Sequence, residues 1–424
     1  MAFALVLACS GCAKGVTGDP TAVRGTEASF TGRLMSNVGG EVEYWTEYGT
    51  TTAYGSATPH ETVTAQPNQE RVVSVVITGL QRSTSYHYRF CARDSQQQGG
   101  PGCGEDKTFT TPNLDCGDVI THDVTLSATL NCDSPNVVFA DPGLVIGAGG
   151  VDLNLGGNRL LGPLRDFYDT TVPVAIDNSG GYDDVTIRNG SISAWGTMVG
   201  LNDADYNLIR NIDSLRNGAG IDIDGGEGVV VRSTHVGAVH RFYNGLVATE
   251  TEGLVVADSS APTWYVQGSD SRIVRNQVGS GDEFSTCFIL RGNRNRIADN
   301  HVSGCPNGGL VLQAGGANEL IGNEASNAFF GLGGEPDGIR VEPFTAGTLL
   351  QGNFVHDNEE DGIDVQATDA RLQDNRADDN GDFGIDAAAG VTDLGGNTAS
   401  GNGNALQCRN VVCQQLLDPR AGRA

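Results

Sequence analysis

Lysine is almost missing from this chain. Only Lys14 and Lys107 occur among 424 residues, and none follows Pro112. Basic charge is scarce altogether, with 26 Lys and Arg against 52 Asp and Glu, a net charge of -26. The part up to Pro112 takes 8 of the basic and 10 of the acidic residues, which leaves 18 against 42 and a net of -24 for everything beyond it. Such a field repels a phosphate backbone, so nucleic acid is excluded as a partner, and an anionic polymer needs a bridging cation to approach. Long apolar runs are missing too. Beyond the first few residues no stretch of about 18 apolar residues occurs, so no spanning helix is expected.

Cysteine is present, but without the spacing of a zinc site. The ten cysteines fall in close pairs: Cys9 and Cys12, Cys91 and Cys103, Cys116 and Cys132, Cys287 and Cys305, Cys408 and Cys413. The first pair has C-x2-C spacing but no partner couple. The other four pairs predict local disulfides and an oxidising compartment. Phe3 to Ala8 reads as the end of an apolar signal core whose basic start is truncated, so residues 1–18 are expected to be a signal or lipoprotein segment. Leu5-Val6-Leu7-Ala8-Cys9 and Cys9-Ser10-Gly11-Cys12 each approximate a bacterial lipobox. Lipidation at Cys9 or Cys12, with membrane attachment by that lipid only, is one expectation and plain cleavage the other. Either way a bacterial, exported protein is expected, extracellular or on the cell surface.

What the chain has in excess is glycine, 60 of 424 residues. It recurs beside Asn, Asp and short Val/Ile/Leu runs, as expected for many short strands joined by tight turns. Residues 19–112 alternate with period two over Glu41 to Tyr48, Arg71 to Ile77 and Tyr86 to Ala92. Within them Thr78-Gly79-Leu80-Gln81-Arg82-Ser83-Thr84-Ser85-Tyr86 resembles the corner of a fibronectin type III module, in which a Leu and a Tyr pack beneath the turn. The resemblance implies a β-sandwich over 19–112, commonly a spacer in secreted carbohydrate-active proteins.

Beyond Pro112 the sequence is periodic. Asn189, Asn211, Ser233, Asp258, Asn276, Asn300, Asn323, Asn353, Asn375 and Asn397 recur mostly at steps of 22 to 24 residues, with one step of 30 between Asn323 and Asn353. A coil of that length suits three short strands, and stacked coils bury an interior that one coil cannot cover. Asn at the same turn, coil after coil, predicts a ladder of side-chain amides. These repeats resemble the pectate-lyase-like superfamily, specifically bacterial proteins related to NosD and the sugar-hydrolase repeat class. The resemblance implies an all-β chain whose residues 113–414 form a right-handed parallel β-helix, followed by a tail at 415–424.

Each coil also carries a strand opened by Gly, such as Gly220-Ile221-Asp222-Ile223-Asp224 and Gly362-Ile363-Asp364-Val365-Gln366. Alternation turns the first and third residues after Gly inward and the second and fourth outward. By the resemblance this strand forms the sheet on which enzymes of the superfamily bind sugar. One outward column reads Met198, Asp222, Val247, Tyr265, Ile289, Val311, Arg340, Asp364 and Asp386. Arg340, Asp364 and Asp386 then stack at about 4.8 Å per coil, with Glu342 diagonal to Asp364 and the Glu359-Glu360-Asp361 turn alongside. These four are the candidate catalytic residues, with Phe329 to Pro336 as one wall of the site. Adjacent carboxylates raise one another's pKa, so that one donates a proton while another stays ionised. Asp364, Asp386 and Glu342 are equally a candidate calcium site, calcium being the one cofactor expected. A solvated acidic face relieved by Arg340 is the structural alternative. Tyr265, Gln267 and Arg291 offer a face for a sugar ring, whereas Asp222, Asp224 and Glu227 read as turn residues bonding backbone amides.

The superfamily's specific signatures are incomplete. Arg340 matches the Arg base of its pectate lyases, yet the remaining calcium and Arg motif is not visible. The polygalacturonase set and the Asp-Pro-His of alginate epimerases are absent. The expected function is therefore binding, and cleavage of lyase or hydrolase type, of an extracellular polysaccharide by a monomer. The alternative is a non-catalytic surface display protein or adhesin.

Overall fold

The computed structural model describes residues 13–95, 100–133, 141–163, 173–237, 245–279, 286–331 and 334–414. Cys9, Cys12 and the tail at 415–424 lie outside them. The chain divides into two compact units, the first comprising Met1–Asp118 with Leu126–Val137, the second Val119–Thr125 with Val138–Ala424. Two expected boundaries move. Residues 13–18, assigned to a leader, belong to the first strand, Ala13–Val23, and the first unit runs past Pro112.

In the first unit antiparallel strands fold as a sandwich: Ala13–Val23 pairs with Glu27–Ser36, which pairs with Glu70–Thr78, while Gly40–Gly49 pairs with Ser85–Asp94. Inward residues of the alternating strands form two clusters, one around Leu34, Val42 and Phe90, the other around Phe30, Ile77, Leu80, Tyr86 and Tyr88. At the corner, Leu80 and Tyr86 are buried and the Gln81 amide donates to the Tyr86 hydroxyl at 3.0 Å. Disulfides Cys91–Cys103 and Cys116–Cys132 tie this unit.

The second unit is a stack of coils in parallel register. One sheet holds the Gly-led strands, among them Ala219–Asp224, Leu246–Glu252, Trp264–Ser269, Phe288–Arg291, Leu310–Gly316, Ile339–Val341, Ile363–Val365 and Ile385–Ala387. Among their inward residues Ile221, Ile223, Trp264, Phe288, Leu310, Ile339, Ile363 and Ile385 are at most 1% exposed. Each such side chain contributes about 1.5–3 kcal/mol when removed from water, an upper figure because the unfolded chain is partly collapsed. Cys287–Cys305 and Cys408–Cys413 close two turns.

The buried ladder runs Asn276, Asn300, Asn323, Asn353, Asn375 and Asn397, with each Oδ1 accepting from the backbone N–H of the preceding coil's member at 3.0–3.1 Å. Ser259 and Thr234 extend it backwards. Asn189 and Asn211, expected in the same ladder, are not in it. Ile187 and Ile209 share a column with Ile273, which sets Asn189 and Asn211 one position short of the Asn276 site. They take left-handed turns, φ 60° and 53°, outside the core. A second ladder, Asn358, Asn380 and Asn402, ends on Gln407. The column expected through Met198 also shifts. Gly200 is the register partner of Asp222, and Met198 is fully buried.

Candidate active site

Two successive coils repeat one local sequence, Asp337-Gly338-Ile339-Arg340-Val341 and Asp361-Gly362-Ile363-Asp364-Val365. Ile and Val face inward. Glycine is required at the second position because a Cβ at Gly362 would lie 2.6 Å from both the Gly384 carbonyl and the Asn380 amide. The leading Asp ties its coil to the next. Asp337 Oδ1 accepts from the Asp361 N–H at 3.1 Å, and Asp361 Oδ1 accepts from the Phe383 N–H at 2.7 Å. Asp337 and Asp361 are thereby held, 3% and 9% exposed, beside the outward column.

That column runs Arg340, Asp364, Asp386 in register, as the alternation predicts, and continues to Arg409. One oxygen each of Asp361, Asp364 and Asp386 lie within 4.8 Å of one another, and so do oxygens of Glu335, Asp337 and Asp364. Arg340 Nη1 contacts Glu335 at 2.8 Å and Asp337 at 3.7 Å, and its Nη2 lies 3.8 Å from Glu342. Asp386 receives both donors of Arg409 and is buried beneath it. Gln366 Nε2 donates to Asp364 Oδ2 at 2.7 Å.

Burial, followed by the charges of Asp364 and Asp361, pushes Asp337 up to about 8. Burial is also the main cause that raises Asp361 to about 7, and it raises Asp364. The recess therefore holds carboxyl groups protonated near neutrality next to one, Asp386, engaged by a guanidinium.

Arg340, Asp364 and Asp386 thus meet as expected by register. Glu342 differs: it contacts Arg340 and belongs to neither carboxylate trio. The Glu359-Glu360-Asp361 turn splits, since Glu359 accepts from the Phe330 N–H at 2.7 Å while Asp361 enters the recess. Of the expected wall, residues 332–333 lie outside the described residues. Asp361 comes from the turn, and Glu335 from the wall, expected beside the column, whereas Asp337 and Arg409 were not anticipated. The repeated Asp-Gly-Ile is the signal that points to Asp337.

Farther along the same sheet, Tyr265, Gln267 and Arg291 form one network. Tyr265 donates to Gln267 Oε1 at 3.0 Å, Arg291 Nη1 donates to the Tyr265 hydroxyl at 3.0 Å, and Arg291 Nε donates to Gln313 Oε1 at 2.9 Å. Asp222 and Asp224 are exposed, and Asp224 accepts from the Thr249 hydroxyl at 2.7 Å. Although the Asp222 side chain reaches solvent, the protein packed around it desolvates the carboxyl, which, followed by the Asp224 charge, raises it. Glu227 bonds the Tyr206 hydroxyl and stands apart from them.

Residues 244–402 match the family model described as right handed beta helix region, and the solenoid is a right-handed parallel β-helix. Among solved structures the chain is similar to the DFA-IIIase from Arthrobacter chlorophenolicus A6 in complex with GF2, at 16% identity over 56% of this chain and 67% of that one, TM-score 0.41. It is similar to the periplasmic alginate epimerase AlgG, at 14% identity over 66% and 77%, TM-score 0.43. A third is the catalytic domain of a GH87 alpha-1,3-glucanase in complex with tetrasaccharides, at 8% identity over 96% of both chains, TM-score 0.45. No curated protein matches the chain in sequence.

Proposed function

We propose that this exported protein binds an extracellular polysaccharide along the Gly-led sheet and hydrolyses it at the recess around Asp361 and Asp364. The observation that carries the reading is the trio Asp361, Asp364 and Asp386, whose oxygens lie within 4.8 Å while Arg409 engages Asp386 and the Gln366 amide engages Asp364. Asp361, raised to about 7 chiefly by burial, keeps the proton that a departing glycosidic oxygen needs. Asp364, raised chiefly by burial with the Gln366 amide acting against that rise, is placed to attack or stabilise the anomeric carbon once ionised. The carboxylates lie closer than the roughly 6.5–9.5 Å of inverting enzymes and suit the shorter spacing of retaining ones. Water then releases the sugar and returns its proton to Asp361. Asp386, with both oxygens held by Arg409, closes that end of the recess.

Hydrolysis is favoured over elimination by the position of Arg340. A lyase needs a base, and a guanidinium facing Glu335, Asp337 and Glu342 serves them as counter-ion. Calcium is the second reading of the same groups, with Asp361 in the place expected of Glu342 beside Asp364 and Asp386. Four disulfides support an oxidising, extracellular or cell-surface location. The test is a glycan panel read for both reducing ends and unsaturated products, with stereochemistry followed by NMR. Reducing ends with retained configuration, lost in Asp361→Asn and in Asp364→Asn, are expected. Unsaturated products would establish a lyase, and no product from any glycan would leave the display-rod alternative.

A further inference from the structure

The coil that supplies Glu335, Asp337 and Arg340 also exposes two aromatic rings. Phe330 and Phe344 are the only exposed phenylalanines among the described residues, 56% and 78% accessible, and both belong to the 30-residue coil between Asn323 and Asn353. Phe344 is held out by a closed turn. The Thr345 N–H donates to the Glu342 carbonyl at 3.2 Å and its hydroxyl donates to the same oxygen at 2.9 Å. Pro343 fixes the second position of that turn, and the Gly315 N–H donates to the Phe344 carbonyl at 3.3 Å from the preceding coil. Glu342, which opens the turn, lies 3.8 Å from Arg340, so the turn that carries Phe344 leaves its strand beside the recess.

An exposed ring on a pinned turn is unfavourable in water and adds nothing to the core. Its flat face matches the C–H face of a pyranose, with a few polar groups close by to orient the hydroxyls. The charge decides which pyranose. The solenoid segment carries a net of -24, and the two guanidinium groups at the recess are already engaged, Arg340 by Glu335 and Glu342 and Arg409 by Asp386, so a sugar bearing carboxylate or sulfate is repelled where a neutral one is not.

We propose that Phe344 is the stacking platform of a sugar subsite at the rim of the recess, and that the glycan held there is a neutral polysaccharide. This rests on the glycan-cleaving reading of the recess and adds its substrate class. The full chain is titrated with neutral cello- and xylo-oligosaccharides and with oligogalacturonides, using wild type, Phe344→Ala and Phe344→Trp. Neutral oligosaccharides should bind in preference to oligogalacturonides. Phe344→Ala should raise Kd and KM about 3- to 10-fold with kcat little changed, and Phe344→Trp should restore both. Because Trp45, Trp195 and Trp264 are all at most 5% exposed, the new Trp should report binding by a fluorescence change on a quiet background. Preference for oligogalacturonides, an unchanged affinity in Phe344→Ala, or a fall in kcat at constant KM overturns the proposal. Binding without cleavage would defeat the hydrolytic reading while still deciding the role of Phe344; a wild-type protein that binds no glycan defeats both.

Discussion

Removing one rung of the buried ladder tests the solenoid's internal logic. Asn323 is 1% exposed and makes four bonds. Its Nδ2 donates to the Ile297 carbonyl at 2.9 Å and to Asn353 Oδ1 at 3.0 Å, while its Oδ1 accepts from the backbone and side-chain nitrogens of Asn300 at 3.1 and 3.0 Å. In Asn323→Ala the Asn300 side chain keeps the Ile273 carbonyl, and Asn353 Oδ1 keeps the Asn323 N–H. The Asn300 backbone N–H keeps nothing. One orphaned buried donor costs about 1–3 kcal/mol, and the three other lost bonds, at about 0.5–1.5 kcal/mol each, bring the total to roughly 3 kcal/mol or more. Because coils stabilise one another through nearest neighbours, the loss should lower the melting of the whole solenoid. The control is Asn293→Ala, at an exposed turn position. Thermal denaturation by circular dichroism gives the difference, and hydrogen exchange at the Asn300 amide localises it. If Asn323→Ala melts within about 0.5 kcal/mol of the control, water or backbone movement has replaced the amide and the ladder is not what fixes the coils.

Acid pH should favour the recess. Asp337 at about 8 and Asp361 at about 7, both raised chiefly by burial, keep protons that an unfolded chain with carboxyls near 4 releases. Their contribution to stability is therefore greatest below about pH 4 and is lost as pH rises towards about 8. Carboxylates held low, such as Asp258 hydrogen-bonded by Arg275, act in the opposite direction, so the readout is the pH slope of wild type minus that of Asp337→Asn; equal slopes refute the assignment. If calcium occupies the trio, it should raise the melting temperature of wild type and not of Asp364→Asn/Asp386→Asn. An equal response in both places the ion elsewhere, and none in either removes the calcium reading. Thiol labelling under denaturing, non-reducing conditions should leave Cys287 and Cys305 unmodified, and replacing both by Ala should cost about 3 kcal/mol by urea titration, an 18-residue separation being tied. Labelling of either cysteine would show the bridge unformed.

Architecture was legible because the period and the alternation are set by stacking itself. A residue two positions along a strand faces the same side in every coil, so Arg340, Asp364 and Asp386 could be placed in one column from spacing alone. The same reasoning slipped where turn lengths differ. Asn189 and Asn276 share the local pattern of a hydrophobic residue, another residue and Asn, yet a one-residue difference in the turn places one outside and the other in the ladder. Counting from Asn to Asn cannot reveal that offset, whereas aligning the inward Ile and Val can.

The recess was half legible for a different reason. Alternation identifies residues on strands, and Asp337 and Asp361 sit just before them, where Asp ordinarily reads as a turn residue bonding backbone amides. They do bond them, to Asp361 and Phe383. That structural duty is what buries them, and burial is the chief cause that lifts them to about 8 and about 7. One pair of side chains thus joins coil to coil and keeps protons near neutrality. In the next repeat Phe383 stands where Asp would, and Arg409 follows Asp386 in the column, so the acidic recess is bounded at that end by an apolar ring and a guanidinium. Its other boundary is the 30-residue coil, which brings in Glu335 and Phe344. Chemistry collects where the repeat departs from its own rule, because the regular positions are already committed to holding the stack together.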